Sequence, residues 1–510
     1  MVTIKNPIIP GFSPDPSICV VGEDFYLVNS TFAYFPGVPI YHSRDLCHWE
    51  QIGNLLDRPS QLRLEDAGQS KGIFAPTLRY YKGLFYMITT NMSYGGNFIV
   101  TAEKPEGPWS EPYFLENAPG IDPTLFFEGD KCYYVGTRGW DSGRYFGDNE
   151  IWLQELDLDE MRLTGPVHVL WKGSQQNAVW AEGPHIYKRG EYYYLLIAEG
   201  GTGFYHSVTI ARSTSLFGEY EGYIGNPILT HRHLGHDYPL QYTGHADLFE
   251  TADGQWYMVL LASRVCEGHS NLGRETCLAM VQWEDGWPIV NPGEGRVLPK
   301  QTIPMARWDV PPKGRCIHFD GPLDNRLLFL RNPQEDMYTL AEERIRLHTL
   351  AETLSERKSP AYLGVRQLAF DWIVRTRLTF TPRAEKEEAG LAMVQSDAFH
   401  IRLVITKNRR GTELAVIRCK EGKEETLAVT PVASDTAELS IRQSGQLLSF
   451  YIKEPKGEGV CVLGGVDARF LSTEAAGGFV GTTTGIYATG GGTATGNFAE
   501  FYWLEAGEDR

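Results

Sequence analysis

Asp15-Pro16-Ser17-Ile18, followed by Phe25-Tyr26-Leu27-Val28, is a unit that this chain writes five times. The later copies open at Ala75-Pro76-Thr77-Leu78, Asp122-Pro123-Thr124-Leu125, Glu182-Gly183-Pro184-His185-Ile186 and His245-Ala246-Asp247-Leu248. An aromatic strand follows each: Phe85-Tyr86-Met87, Tyr133-Tyr134-Val135, Tyr193-Tyr194-Leu195 and Trp256-Tyr257-Met258. The starts fall 47 to 63 residues apart. A sheet-sized unit at that period reads as a propeller blade, since a lone blade cannot bury its own apolar faces. Five units predict a five-bladed β-propeller. Their first residues run Asp, Ala, Asp, Glu, His. Equivalent positions of the innermost strands converge on the propeller axis, so Asp15, Asp122, Glu182 and His245 are expected to share one pocket.

Outward from the repeat, short alternating strands and Gly/Pro/Asp turns continue to about residue 310. The domain reading is therefore 1–310 for the propeller and 311–510 for a second domain. Between them, Asn291-Pro292-Gly293-Glu294-Gly295 through Pro311-Pro312-Lys313-Gly314 reads as a linker. Glu335 to Glu356 reads as a short helix without a clean apolar stripe. Strand-like runs follow at Phe370–Val374, Phe399–Ile405, Leu448–Ile452 and Phe498–Trp503, which predict a β-sandwich. The whole chain is thus expected to be all-β.

Apolar residues make up 42% and charged residues 22% of the 510 residues, ordinary for a globular protein. The net charge of −17 argues against a nucleic-acid partner, which needs a basic face. No apolar run reaches membrane-spanning length. Met1-Val2-Thr3-Ile4-Lys5-Asn6-Pro7 lacks the layout of a signal peptide, so a cytoplasmic location is expected. The eight cysteines form no Cys-x-x-Cys pair and read as buried free thiols.

Three carboxyls in one pocket suit the hydrolysis of a glycosidic bond. One must be protonated, to give its proton to the departing oxygen; another must be ionised, to activate water or attack the sugar. A third raises the acid's pKa by repulsion. At this point a family resemblance is visible. Asn6-Pro7 with Gly11-Phe12-Ser13-Pro14-Asp15-Pro16 resembles the opening of glycoside hydrolase family 43. So do Ser30-Thr31-Phe32, Gly120-Ile121-Asp122-Pro123, Glu182-Gly183-Pro184-His185, Gly244-His245-Ala246-Asp247 and Leu272-Gly273-Arg274-Glu275-Thr276.

The resemblance implies an exo-acting, inverting enzyme of the β-xylosidase and α-L-arabinofuranosidase branches, with a jelly-roll, concanavalin-like C-terminal sandwich. It implies Asp15 as general base, Glu182 as general acid and Asp122 as the carboxylate that tunes and orients the acid. Arg274 matches an arginine that binds sugar hydroxyls, His245 a histidine near the axis, and Phe32 and Phe74 aromatic wall positions. Phe479 of the sandwich is expected to narrow the pocket. Phe74 stands where the familiar β-xylosidases carry tryptophan, which tilts the expectation toward arabinofuranose. The implied substrates are plant cell-wall oligosaccharides of arabinoxylan or xyloglucan type, and a homo-oligomer is compatible. No cofactor is required; a structural calcium in the channel near His245 is compatible with the family, although no Asp/Asn-rich loop demands one. Two alternatives remain. A non-catalytic sugar-binding propeller would have no need of all three acids. A fructan or sucrose hydrolase would show Asn-Asp-Pro-Asn, Arg-Asp-Pro and Glu-Cys, where this chain has Ser13-Pro14-Asp15-Pro16, Ile121-Asp122-Pro123 and Ala181-Glu182-Gly183.

Overall fold

Each repeat folds as one four-stranded antiparallel sheet with its innermost strand first in sequence. The innermost strands are Ser17–Val21, Thr77–Tyr81, Ile121–Glu128, Glu182–Arg189 and Leu240–Glu250. In the first four blades a two-residue turn joins this strand to the next, with Gly22, Gly83, Gly129 and Gly190 supplying the left-handed backbone that such tight hairpins need. The apolar faces stack between neighbours. Leu125, Tyr134 and Trp152 of blade 3 pack with Ile88 and Ile99 of blade 2, and Leu196 and Ile210 of blade 4 with Leu248 and Met258 of blade 5. The ring closes without covalent help. Residues 6–9 run beside blade 5, where Ile8 N–H and Ile9 N–H both donate to Thr276 O. Val2–Lys5 pairs with Lys300–Ile303. This computed structural model describes residues 1–140, 142–311, 313–409, 411–455 and 457–509.

The C-terminal part is a sandwich of two eight-stranded sheets. Strand by strand, one runs Lys423–Pro431, Gly411–Lys420, Phe399–Asn408, Glu388–Ser396, Thr483–Thr489, Ala361–Arg366, Leu328–Leu330 and Tyr34–Phe35, the last of which comes from the first blade's loop. That two-residue strand pairs with Leu328–Leu330, so one sheet runs across the sequence boundary between the domains. The largest apolar core follows suit: it joins Leu55, Leu64 and Met87 of the propeller with Leu363, Leu403 and Ile486 of the sandwich.

Three sequence expectations change here. The stretch 335–356 is not helical; it contains the hairpin Tyr338–Ala341 and Arg344–His348. Ile345 and Leu347 are buried and their neighbours are not, which is the period of a strand. The linker is not merely connecting chain, because Gln301 and Ile303 alternate inward along the strand that pairs with the N-terminus; its Pro312 lies outside the described residues. Of the eight free cysteines, only Cys19, Cys132, Cys277 and Cys419 are buried, and Cys461 is exposed on the sandwich.

Candidate active site

The innermost strands bend at the positions where the chemistry sits. Asp15, Asp122 and His245 all adopt positive φ, at 52°, 53° and 42°. Ladder irregularities accompany two of them, between Ile121 and Thr124 and between Gly244 and Ala246. Bulges of this kind re-aim a side chain, and a positive φ outside glycine costs about 1–3 kcal/mol. The fourth blade differs. Counting back from its apolar residue, Gly183 (φ 59°) and not Glu182 occupies the equivalent position. A Cβ at Gly183 would lie 3.1 Å from the His245 ring, a tight contact that favours glycine there. Glu182 is one residue earlier, paired with Ala198. The acid therefore enters the pocket from a different position than Asp15 and Asp122. The sequence alignment, taken on first residues, is one residue out for this blade.

Asp15 is buried and held on both sides. Ser30 Oγ donates to Oδ2 at 2.6 Å and Arg274 Nη1 to Oδ1 at 2.8 Å, with His245 Nδ1 at 3.8 Å from Oδ1. Burial alone would raise its pKa; Arg274, then His245 and Ser30, overcome this and hold it below the usual carboxylate range. Among the described residues Asp122 has one donor, Gly183 N–H at 3.1 Å. Burial pushes its pKa up to about 6, with Asp15 adding to the rise. Glu182 accepts no hydrogen bond among the described residues. Its pKa is pushed well above the ordinary value, first by burial, then by the charges of Asp122 and Asp15. The expected repulsion is present, but desolvation is the larger cause. One carboxyl is thus kept ionised and another kept protonated in the same pocket.

An aromatic wall stands beside these groups. Phe32 lies 5.2 Å from Phe74 and 5.8 Å from Phe479 between ring centroids. The Arg274 guanidinium is 5.7 Å from the Phe32 ring and 5.5 Å from that of Phe479. The backbones of the two domains touch here: a Cβ at Gly273 would meet Gly481 N at 2.7 Å. All eight residues singled out in the sequence lie in this one region. His206 was missed, for it belongs to no repeat. Its Nδ1–H donates to Tyr242 O at 2.9 Å, and burial lowers its pKa to about 4. His206 Nε2 and Arg274 Nε are buried without a hydrogen-bond partner among the described residues.

Two residues further along the same strands, a second charged cluster fills the axis. Arg79 reaches Asp247 at 3.0 Å, Ser17 at 3.2 Å and His185 at 2.9 Å, and His185 reaches Thr124 at 3.2 Å. Those residues come from all five blades. The calcium expectation meets this arginine. Near His245 the neighbouring carboxylate, Asp15, is already taken by Arg274, and among the described residues no three His, Cys, Asp or Glu side chains converge as metal ligands. A cavity of about 500 Å³ lies elsewhere, between the domains around Trp49 and Trp372, and holds none of the carboxyls.

A five-bladed propeller whose axial pocket holds one ionised and one protonated carboxyl beside an aromatic wall is a glycoside hydrolase in design. The sequence profile of glycosyl hydrolases family 43 matches residues 4–288, and that of the beta xylosidase C-terminal concanavalin A-like domain matches residues 316–506. The chain belongs to glycosyl hydrolase family 43. It is 47% identical to a xylosidase/arabinosidase from Butyrivibrio fibrisolvens, over the full length of both. It is 39% identical to a non-reducing end alpha-L-arabinofuranosidase from Bacteroides ovatus, over 99% of this chain and 94% of the relative. Among solved structures, the Bacteroides ovatus xyloglucan PUL GH43B superposes with a TM-score of 0.94 at 37% identity, covering 100% of both chains. A xylan beta-1,4-xylosidase from Bacillus halodurans C-125 superposes with 0.92 at 36% identity, covering 99% of this chain and 100% of the other.

Proposed function

We propose that this protein removes a terminal pentose from plant cell-wall oligosaccharides of arabinoxylan or xyloglucan type, with inversion, and that it favours α-L-arabinofuranosides over β-D-xylosides. The observation that carries this reading is the opposite protonation bias of Asp15 and Glu182 within one buried site. Asp15 takes a proton from water, whose oxygen bonds to the anomeric carbon. The glycosidic bond breaks, and its oxygen leaves with the proton of Glu182. Asp122, next to the acid's own strand through Gly183, helps keep Glu182 protonated. Arg274 keeps Asp15 ionised and offers its remaining donors to the sugar. Phe479 and the strand exchange at Tyr34–Phe35 support an exo mode, because the sandwich walls off one side of the pocket.

The preference for arabinofuranose rests on Phe74, half-buried at the wall, and on the Bacteroides ovatus relative. A phenyl ring leaves more room than an indole for an exocyclic CH₂OH. One such carbon is worth only about 1–3 kcal/mol, or roughly 10- to 200-fold. The test is kcat/KM on the two nitrophenyl pentosides, side by side, for the wild type and Phe74→Trp. The wild type is expected to favour the arabinofuranoside and the variant to move toward the xyloside. NMR of the first-formed sugar should show the inverted anomer; a retained anomer would contradict Asp15 as base.

A further inference from the structure

The rim of the pocket is lopsided. On the side of blades 1, 2 and 5, the sandwich brings Phe479 and Gly481 against it. On the side of blades 3 and 4, three loops form the rim: 142–148, 172–181 and 200–206. The pairings Gly139↔Asn149, Ile151↔Trp171 and Glu199↔Ser207 place all three at the propeller end that carries Asp122 and Glu182.

These loops present a built aromatic face. Trp180, two residues before Glu182, is half-buried and has φ 54°, an uncommon backbone for a bulky residue. Its N–H donates to Gly147 O at 2.6 Å. A Cβ at Gly201 would collide with its ring at 2.6 Å. Phe146 stands edge-on to Trp180, with ring centroids 5.8 Å apart, and is 85% exposed. The support beneath is polar. Glu199 accepts from the N–H groups of Ser174 and Gln175, at 3.0 and 3.2 Å, and Tyr145 Oη donates to Ala178 O at 2.8 Å. Gly200 N–H donates to Val179 O at 2.9 Å. Strain at a bulky residue persists only where its surroundings over-determine it. Here three loops do so, and the result is a large apolar ring held out to water beside the acid.

We infer that the Trp180–Phe146 pair is a stacking platform for the sugar chain on the leaving-group side of the scissile bond. The inference rests on the pentosidase reading above. The leaving group must lie next to the general acid, and the chain from Trp180 to Glu182 spans at most about 7 Å. A pyranose ring linked to the released pentose would therefore lie within reach of the platform. The opposite side of the pocket is closed by the sandwich, so a polymeric leaving group has to pass over this rim.

The experiment compares Phe146→Ala with the wild type on two substrates: a pentose-capped xylo-oligosaccharide and the matching pentosyl fluoride, whose leaving group is one atom. Phe146 is exposed, so its truncation should leave the melting temperature unchanged. We expect kcat/KM to fall about tenfold on the oligosaccharide, the loss of one ring contact, and to stay level on the fluoride. Phe146→Tyr should restore it. An equal loss on both substrates, or none on either, would overturn the platform. A wild type inactive on both would overturn the pentosidase reading instead. Titrating tryptophan fluorescence with the oligosaccharide would then still decide the platform, which stands only if Phe146→Ala weakens binding.

Discussion

Two charged clusters lie on the propeller axis, one strand step apart: the inner draws on all five blades, and the outer on blades 1, 3, 4 and 5. In the deeper one every charge is matched. Asp247 accepts from Arg79, Ser17, Tyr187 and the N–H of Ile18. Burial would raise its pKa, yet Arg79 and its other partners bring it down to about 2. In the outer cluster the pairing among the described residues is incomplete: Asp15 is fully held, Asp122 has a single donor and Glu182 has none. Equal burial therefore gives one carboxylate that never titrates near neutrality and one carboxyl that keeps its proton. The difference lies in partners, since both clusters are buried. A satisfied buried ion network serves the fold, and an unsatisfied one stores the altered protonation that acid catalysis needs.

Removing the outer acid should give the largest effect. Glu182→Ala is expected to cost about 10²- to 10⁴-fold in kcat/KM on natural glycosides, whose leaving groups need a proton, and far less on a dinitrophenyl pentoside. Equal losses on both would remove Glu182 from the acid role. Breaking the inner cluster should instead be read in stability. Arg79→Met strands the Asp247 charge and is expected to cost about 3–5 kcal/mol of unfolding free energy in a denaturant titration. Activity per folded molecule should change little. If Arg79→Met left stability intact but abolished turnover, the division between the clusters would be wrong.

The mildest change sharpens the comparison. Asp122→Asn removes one repelling charge from Glu182, so the alkaline limb of the pH–rate profile should move to lower pH. The same variant should gain stability above about pH 6. The folded Asp122 keeps its proton to about 6 against an ordinary value of 3.8, so the unfolded chain releases that proton first and ionisation works against folding as pH rises. A matching melt of Asp247→Asn should show the opposite sign. Its carboxylate is stabilised when ionised, and that contribution is present above about pH 4 and fades only as pH falls toward 2.

Much of this was open to reading in the chain alone. The repeat announced the blades because a blade's apolar strands recur with the period of the sheet. Asp15, Asp122 and His245 were legible because the axis brings equivalent positions together. Phe479 could be named from the sandwich, since aromatic walls recur at sugar sites. Other features were not legible. The repeat's spacing marks Gly183 as the equivalent position when counted back from Ile186, but how Glu182 then enters the pocket shows only in the positive φ of Gly183 and the nearby His245 ring. The hairpin at 338–348 was read as helix because its period shows only once Ile345 and Leu347 are seen to face a core.

By itself, then, the sequence determined the number of blades, the sandwich that follows them and the acids at the axis, for these depend on local periodicity and residue type. Tertiary structure alone decided which acid keeps its proton, because that depends on how many donors surround each buried carboxyl, and those donors come from residues far apart in the chain: Arg274 for Asp15, Gly183 for Asp122 and, among the described residues, none for Glu182. It also decided that the strand Tyr34–Phe35 leaves the propeller for the sandwich, because two residues carry too little pattern to choose a sheet. That choice closes one side of the pocket and leaves the Trp180–Phe146 rim open.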